Sequence, residues 1–194
     1  MNLIETDGER LLIALRSLLA EKGIASAAEI ADRIAVTDRA SPAQGARMVA
    51  RAWTDPDYRA LMLEDGTRAA EALGITMRGA PPLGVLENTE TLHNLVVCTL
   101  CSCYPRAVLG YPPFWFKSAA YRARAVRNPR GVLAEWGTVL AESVRVRVVD
   151  STADYRWMVL PRRPAGTAGW SAERLAAIVR EGDMIGVTVP DVPQ

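Results

Sequence analysis

The chain has 194 residues, 49% of them hydrophobic, and a formal net charge of +1. That length suits one domain or a compact domain with an appendage, and that apolar share buries a core without disulfide staples. Near-neutral charge excludes global attraction to nucleic acid or anionic lipid, and no apolar run approaches the roughly 20 residues of a membrane span. The cations are mostly arginine, which suits ordered ion pairs and interfaces. The opening "MNLIETDGERLL" has neither the positive n-region nor the cleavage site of a secretory leader. Three cysteines, an odd number, argue against a disulfide framework. A cytoplasmic protein with no nucleic-acid partner and no membrane is expected.

The first third reads as helix. Leu11, Leu12, Leu15, Leu18 and Leu19 recur on one helical face, and Gly23 stands where that helix should stop. "SAAEIADRIAV" opens with Ser26 and has Glu29 three residues on, a capping box. Ser41-Pro42 and Asp55-Pro56 open two more helices, the second running to Gly74. The prolines and glycines of "RGAPPLG" then place a boundary near residue 80.

Beyond it come short β-branched runs, "LVVCTL", "VRVRVV", "YRWMVL" and "IGVTV", which predict strands. In "VRVRVV", Val144, Val146 and Val148 share one face and Arg145 and Arg147 the other. Helical stretches are expected around 114–127, 130–140 and 171–181. The predicted class is α+β: a helical N-terminal arm over 1–80, then an α/β layered domain with short mixed strands over 81–194. Short, two-sided arm helices with little aromatic mass suit packing on another subunit, or capping of the chain's own domain.

All the sulfur nucleophiles lie in "VVCTLCSCYP", as Cys98, Cys101 and Cys103. A Cys-X-Cys tripeptide can offer two thiolate sulfurs and the backbone nitrogens of Ser102 and Cys103 as four ligands in one plane. Cys98, in a tight turn, then reaches the ion from one axial side and leaves the opposite position open. Zinc and magnesium rarely displace an amide proton, whereas a trivalent, low-spin cobalt or iron ion can. Such a centre is a Lewis acid for a small unsaturated substrate. A dithiol redox pair of Cys98 and Cys101 leaves Cys103 unexplained and usually opens a helix. Structural zinc needs a fourth ligand, and the lone histidine, His93, belongs to the approach strand and reads as structural.

"VCTLCSCYP" resembles the metal motif of the nitrile hydratase α subunit. The likeness runs on through "ENTETLHN", "AVLGYPPFWFKS", "PRGVLAEWG", "VRVVDSTADYRWMVLPRRPAGT" and "MIGVTVP", and back into "GARMVARAWTDPDYRALML". The resemblance implies a fold like that subunit and metal ligation by Cys98, Cys101, Ser102 and Cys103. It implies a sulfinic acid on Cys101 and a sulfenic acid on Cys103, these two being the catalytic cysteines. Thr99 and Tyr104 resemble the cobalt type, so one Co(III) per chain is implied, with Fe(III) the runner-up. The implied partners are a β subunit, either one chain or split into two, that supplies arginines to the oxidised sulfurs, an activator protein that loads the metal, and a small-molecule nitrile.

The sequence departs from that family at Arg106, where tryptophan is common, at Tyr111, where leucine is common, and at Phe116, where tyrosine is. Arg106 adds a charge just beyond the loop. That change suits thiocyanate hydrolase, a relative acting on an anion, or a nitrile hydratase for a bulky substrate such as the nucleoside toyocamycin. The implied activity is hydration of a nitrile to an amide; the alternatives are a thiocyanate hydrolase metal subunit and a non-catalytic metal carrier. Trp115 reads as core or pocket wall, and Glu87 and Asp150 as strand-end carboxylates or hydrogen-bond partners of the site. Arg122, Arg124, Arg127 and Arg130 read as a solvated face or a subunit contact.

Overall fold

The computed structural model describes residues 7–192. Residues 1–6, part of the opening "MNLIETDGERLL", lie outside them. The backbone forms two compact units, one up to Arg39 and one from Ala40 onward.

Among the described residues the first unit is two helices, α1 (Asp7–Glu21) and α2 (Ala27–Arg39). Gly23, at φ +63°, ends α1, and the Ile24 amide returns to Leu19 O at 3.0 Å. The predicted capping box is formed: Ser26 N donates to Glu29 Oε2 at 2.8 Å and Glu29 N donates to Ser26 Oγ at 3.2 Å. Leu11, Leu12, Leu15 and Leu18 stay exposed.

The second unit begins with α3 (Pro42–Thr54), α4 (Pro56–Glu64) and α5 (Gly66–Ala72). The sequence boundary near residue 80 thus falls inside this unit, because α3 buries Ala46, Met48, Val49, Ala50 and Ala52 in the common core. Asp55 caps α4 as expected, accepting from Asp57 N and Tyr58 N. The single helix expected from Asp55 to Gly74 is broken at Asp65, whose carboxylate accepts from Arg68 N and starts α5. Gly66 follows because a Cβ there would lie 2.7 Å from Leu83 O.

Four strands come next: β1 (Leu83–Glu87), β2 (Leu92–Val97), β3 (Arg145–Asp150) and β4 (Arg156–Leu160). They form two parallel ladders, β1 with β4 and β2 with β3, so both pairs are parallel within the α+β class. The alternation in β3 holds, with Val146 and Val148 packed on the core and Arg145 and Arg147 exposed. Between β2 and β3 run α6 (Arg106–Leu109), α7 (Phe114–Lys117), α8 (Ala119–Arg127) and α9 (Pro129–Glu135); α10 (Ala172–Ala177) and α11 (Glu181–Ile185) follow β4. Helix α3 packs on α10, α4 on β1, α8 on β2 and α11 on β4. Trp53 Nε1–H closes the unit by donating to Pro161 O at 2.8 Å.

"IGVTV" is not a strand. Helix α11 ends inside it at Gly186, in the left-handed region at φ +86°, and Val187 N folds back to Gly182 O at 3.0 Å. A Cβ on Gly186 would lie 2.0 Å from Asn94 O, so the turn is locked against β2. Among the described residues no helix is long and apolar enough to cross a membrane.

Candidate metal centre

Strand β2 carries buried Leu95, Val96 and Val97 into the core and stops at Val97, paired in register with Asp150 at the end of β3. Ligand sites in parallel sheets form beyond such carboxyl ends. Here the next residue is Cys98. The Cys101 amide turns back to donate to Cys98 Sγ at 3.2 Å, which closes a tight turn.

The three sulfurs lie within 4.8 Å of one another. Cys98 Sγ is 3.4 Å from Cys101 Sγ, which is 3.1 Å from Cys103 Sγ. Nonbonded heavy atoms pack at about 3.5–4.0 Å, so this cluster is tight for three free thiols. A metal–sulfur bond of about 2.3 Å at a right angle separates sulfurs by about 3.3 Å, whereas a tetrahedral angle gives about 3.8 Å. The spacing fits neighbouring corners of a square or octahedron better than a zinc tetrahedron. Cys98 and Cys103 are buried and Cys101 is exposed.

The local electrostatics separate the thiols. Hydrogen bonds from the Cys103 thiol first, then from the Cys98 thiol, hold Cys101 below its usual range, and the Ser102 and Cys103 amides add to this. Burial pushes the Cys103 thiol up to about 12, assisted by its sulfur neighbours and opposed by Arg156. Three clustered sulfurs, with the Ser102 and Cys103 amides between and beside them in the chain, form a donor set that fits a trivalent, thiophilic ion.

The loop is tethered by groups distant in sequence. Asp150 accepts from Thr99 N at 3.0 Å and from Thr99 Oγ1 at 2.5 Å. Arg122 Nη1 donates to Thr99 O at 3.2 Å. Tyr121, next to it on α8, donates its hydroxyl to Val96 O at 2.7 Å. The sequence reads Arg122 as part of a solvated face or a subunit contact; in the fold it reaches the loop. Nothing in the sequence near the cysteines signals it.

Tyr104 is buried below the loop, edge-on to Phe116 at 4.9 Å, and its hydroxyl donates to Glu181 Oε1 at 2.5 Å. Burial first, then Glu181, raises the Tyr104 phenol, so it stays protonated. Arg106 opens α6 on the exposed side, its guanidinium 4.5 Å above the Tyr111 ring. Trp115 is half-buried in an aromatic wall with Tyr121 at 5.0 Å and Trp136 at 4.9 Å. At the loop tip, Leu100 is 89% exposed, and Tyr111 and Phe114 are exposed as well.

Other candidates are structural. His93 is buried, with Nε2–H donating to Gly186 O at 2.7 Å and Nδ1 accepting from Asn88 Nδ2 at 3.2 Å. Glu87 pairs with Arg59 through both carboxylate oxygens, at 2.7 and 2.5 Å. Arg130 clamps the carbonyls of Leu140 and Ala141.

A cysteine-rich loop closed over the ends of parallel strands defines a metal-centre subunit by its donor set. The chain matches the family described as "Nitrile hydratase, alpha chain" over residues 6–188, and it belongs to that family. It is 48% identical over 181 residues to the low-molecular weight cobalt-containing nitrile hydratase subunit alpha of Rhodococcus rhodochrous, covering 93% of this chain and 87% of that one. It is 44% identical over 196 residues to the thiocyanate hydrolase subunit gamma of Thiobacillus thioparus, covering 95% and 81%. Among solved structures, a recombinant thiocyanate hydrolase with partially modified cobalt centres superposes with a TM-score of 0.88 at 44% identity, covering 96% of this chain and 91% of that one.

Proposed function

We propose that this chain is the metal-holding subunit of a nitrile hydratase, an enzyme that adds water across a carbon–nitrogen triple bond to give the amide. The observation that carries the reading is the cluster of Cys98, Cys101 and Cys103, spaced for right-angled coordination, in a chain of this family. The 44% identical thiocyanate hydrolase relative is the ground for the runner-up reading, a metal subunit with another substrate.

The chain would hold the ion through the sulfurs of Cys98, Cys101 and Cys103 and the nitrogens of Ser102 and Cys103. A low-spin Co(III) ion, one per chain, would supply Lewis acidity there. Fe(III) is the runner-up; Thr99 and Tyr104 favour cobalt. Cys101 carries two oxygens and Cys103 one, as sulfinic and sulfenic acids. With the ion bound, the oxygen on Cys103 would serve as the nucleophile toward a nitrile carbon or as the base toward water. Asp150 and Arg122 fix the turn that aims these atoms, and Tyr104 and Trp115 form the apolar wall behind it.

Catalysis is assigned to residues 81–194, with 1–80 as the helical arm. The exposed apolar side chains at Leu100, Tyr111 and Phe114 support a β subunit that covers the loop, as one chain or two. An activator protein delivers the metal, and the assembled enzyme works in the cytoplasm. The test is co-expression with the neighbouring subunits, followed by metal analysis, intact-mass measurement and an amide assay. Cobalt, a mass gain of three oxygens and amide from nitriles are expected. A metal-bearing complex inert toward every nitrile would overturn the assignment in favour of a carrier, and turnover of thiocyanate alone in favour of the relative's reaction.

A further inference from the structure

The far half of the cysteine loop has a tether of its own. Asp150 and Arg122 hold Thr99, between Cys98 and Cys101. Beyond Cys103 the next residue is Tyr104, only 2% exposed, with its ring edge-on to the fully buried Phe116. Its hydroxyl crosses 77 residues of sequence to donate to Glu181 Oε1 at 2.5 Å. A buried phenol needs an acceptor, and a carboxylate gives it a bond about twice as strong as a neutral one.

Glu181 is itself held. It opens α11, where Arg180 N donates to Asp183 Oδ2 at 2.7 Å and Thr188 Oγ1 donates to Asp183 Oδ1 at 2.5 Å. Asp183, Met184 and Ile185 are buried, and α11 packs on α3 and β4. Its far end, at Gly186, is locked against Asn94 of β2. One helix therefore bears on the strand that delivers Cys98 and, through Tyr104, on the residue after Cys103. Removing the acceptor would leave a buried O–H unpaired. Relief requires the ring to move, and Cys103, peptide-bonded to Tyr104, moves with it. Sites of this kind tolerate displacements of only about 0.5 Å.

We propose that Glu181 is a positioning residue of the metal centre: by accepting from the Tyr104 hydroxyl it holds Cys103 in place within the sulfur cluster. This rests on the metal-centre reading above and gives Tyr104 a role set by its hydroxyl as well as its ring.

The test uses the co-expressed complex with Glu181→Leu, which loses the acceptor, Glu181→Gln, which keeps one, Tyr104→Phe, which loses the donor, and the Tyr104→Phe/Glu181→Leu double variant. Glu87→Leu, which breaks the Arg59 pair away from the loop, is the control for a general loss of stability. Cobalt retained after dialysis against a chelator and the sulfur-to-metal charge-transfer band are read beside the unfolding temperature. Glu181→Leu and Tyr104→Phe are each expected to shift the band and lower retention about tenfold, the lower end for groups that orient metal ligands. Glu181→Gln is expected to recover most of both, and the double variant to be no worse than the poorer single one. The control is expected to lower the unfolding temperature with the band unmoved. A Leu variant with wild-type band and retention, a Gln variant as poor as Leu, losses that multiply in the double variant, or a control that shifts the band equally overturns the proposal. Should Glu181→Leu fail to assemble, Tyr104→Phe decides, since it removes one oxygen only: an unmoved band and wild-type retention overturn the proposal. A wild-type complex that takes up no cobalt overturns the metal-centre reading itself, and this proposal with it.

Discussion

The Asp150 carboxylate grips both polar groups of Thr99, the amide at 3.0 Å and the hydroxyl at 2.5 Å, across 51 residues of sequence. Thr99 lies between the first two cysteines, so this pair sets the turn that brings their sulfurs together. Asp150 is itself placed by the register of β3 on β2. The cage is therefore built by the sheet as much as by the cysteines.

Asp150→Ala should leave the fold intact and weaken metal retention roughly 10–100-fold, the range for groups that orient metal ligands. Cobalt content after dialysis against a chelator measures it. Thr99→Ser keeps both hydrogen bonds and should retain metal, whereas Thr99→Val keeps only the amide bond and should fall between.

Cys103→Ser should abolish amide formation while the unfolding temperature of the complex stays close to wild type. A serine at that position offers neither the sulfur ligand nor its oxygen. Full activity in this variant would remove the Cys103 oxygen from the chemistry.

Gly186→Ala should destabilise the chain by at least about 2 kcal/mol, since alanine resists the left-handed region and its Cβ meets Asn94 O. Thermal unfolding should shift down by roughly 5 °C. The same turn holds the carbonyl that accepts from His93.

Burial holds His93 below its ordinary value, with the Gly186 bond opposing. The folded chain therefore binds fewer protons than the unfolded chain between the two values. Stability from this site is complete above the unfolded value, about 6.5, and is lost as pH falls through the depressed folded one. Denaturant midpoints should drop on acidification below that point, and His93→Gln should flatten the slope while lowering stability at neutral pH.

What the sequence disclosed was mostly local. Caps at Ser26 and Asp55 and the stop at Gly23 are short-range hydrogen bonds written in a few residues, and the cysteine loop is six residues long. Strand β1 was not legible because "LGVLE" lacks an alternating β-branched pattern. It exists through its ladder with β4, where Gly84 leaves room for Trp157, whose ring would lie 2.4 Å from a Cβ there. "IGVTV" has strand composition, but the glycine cap of α11 and the close approach of β2 override it. Asp150 was legible as a strand-end carboxylate or a hydrogen-bond partner of the site, and Arg122 not at all as a site residue, because their partner Thr99 lies 23 or more residues away and only the tertiary fold unites them.

X-ray absorption at the cobalt edge of the purified, co-expressed complex tests the central claim most directly. The account predicts one cobalt per chain with three sulfur and two nitrogen neighbours. A zinc ion in a four-coordinate shell, or cobalt bound by sulfur with no nitrogen neighbour, would contradict it.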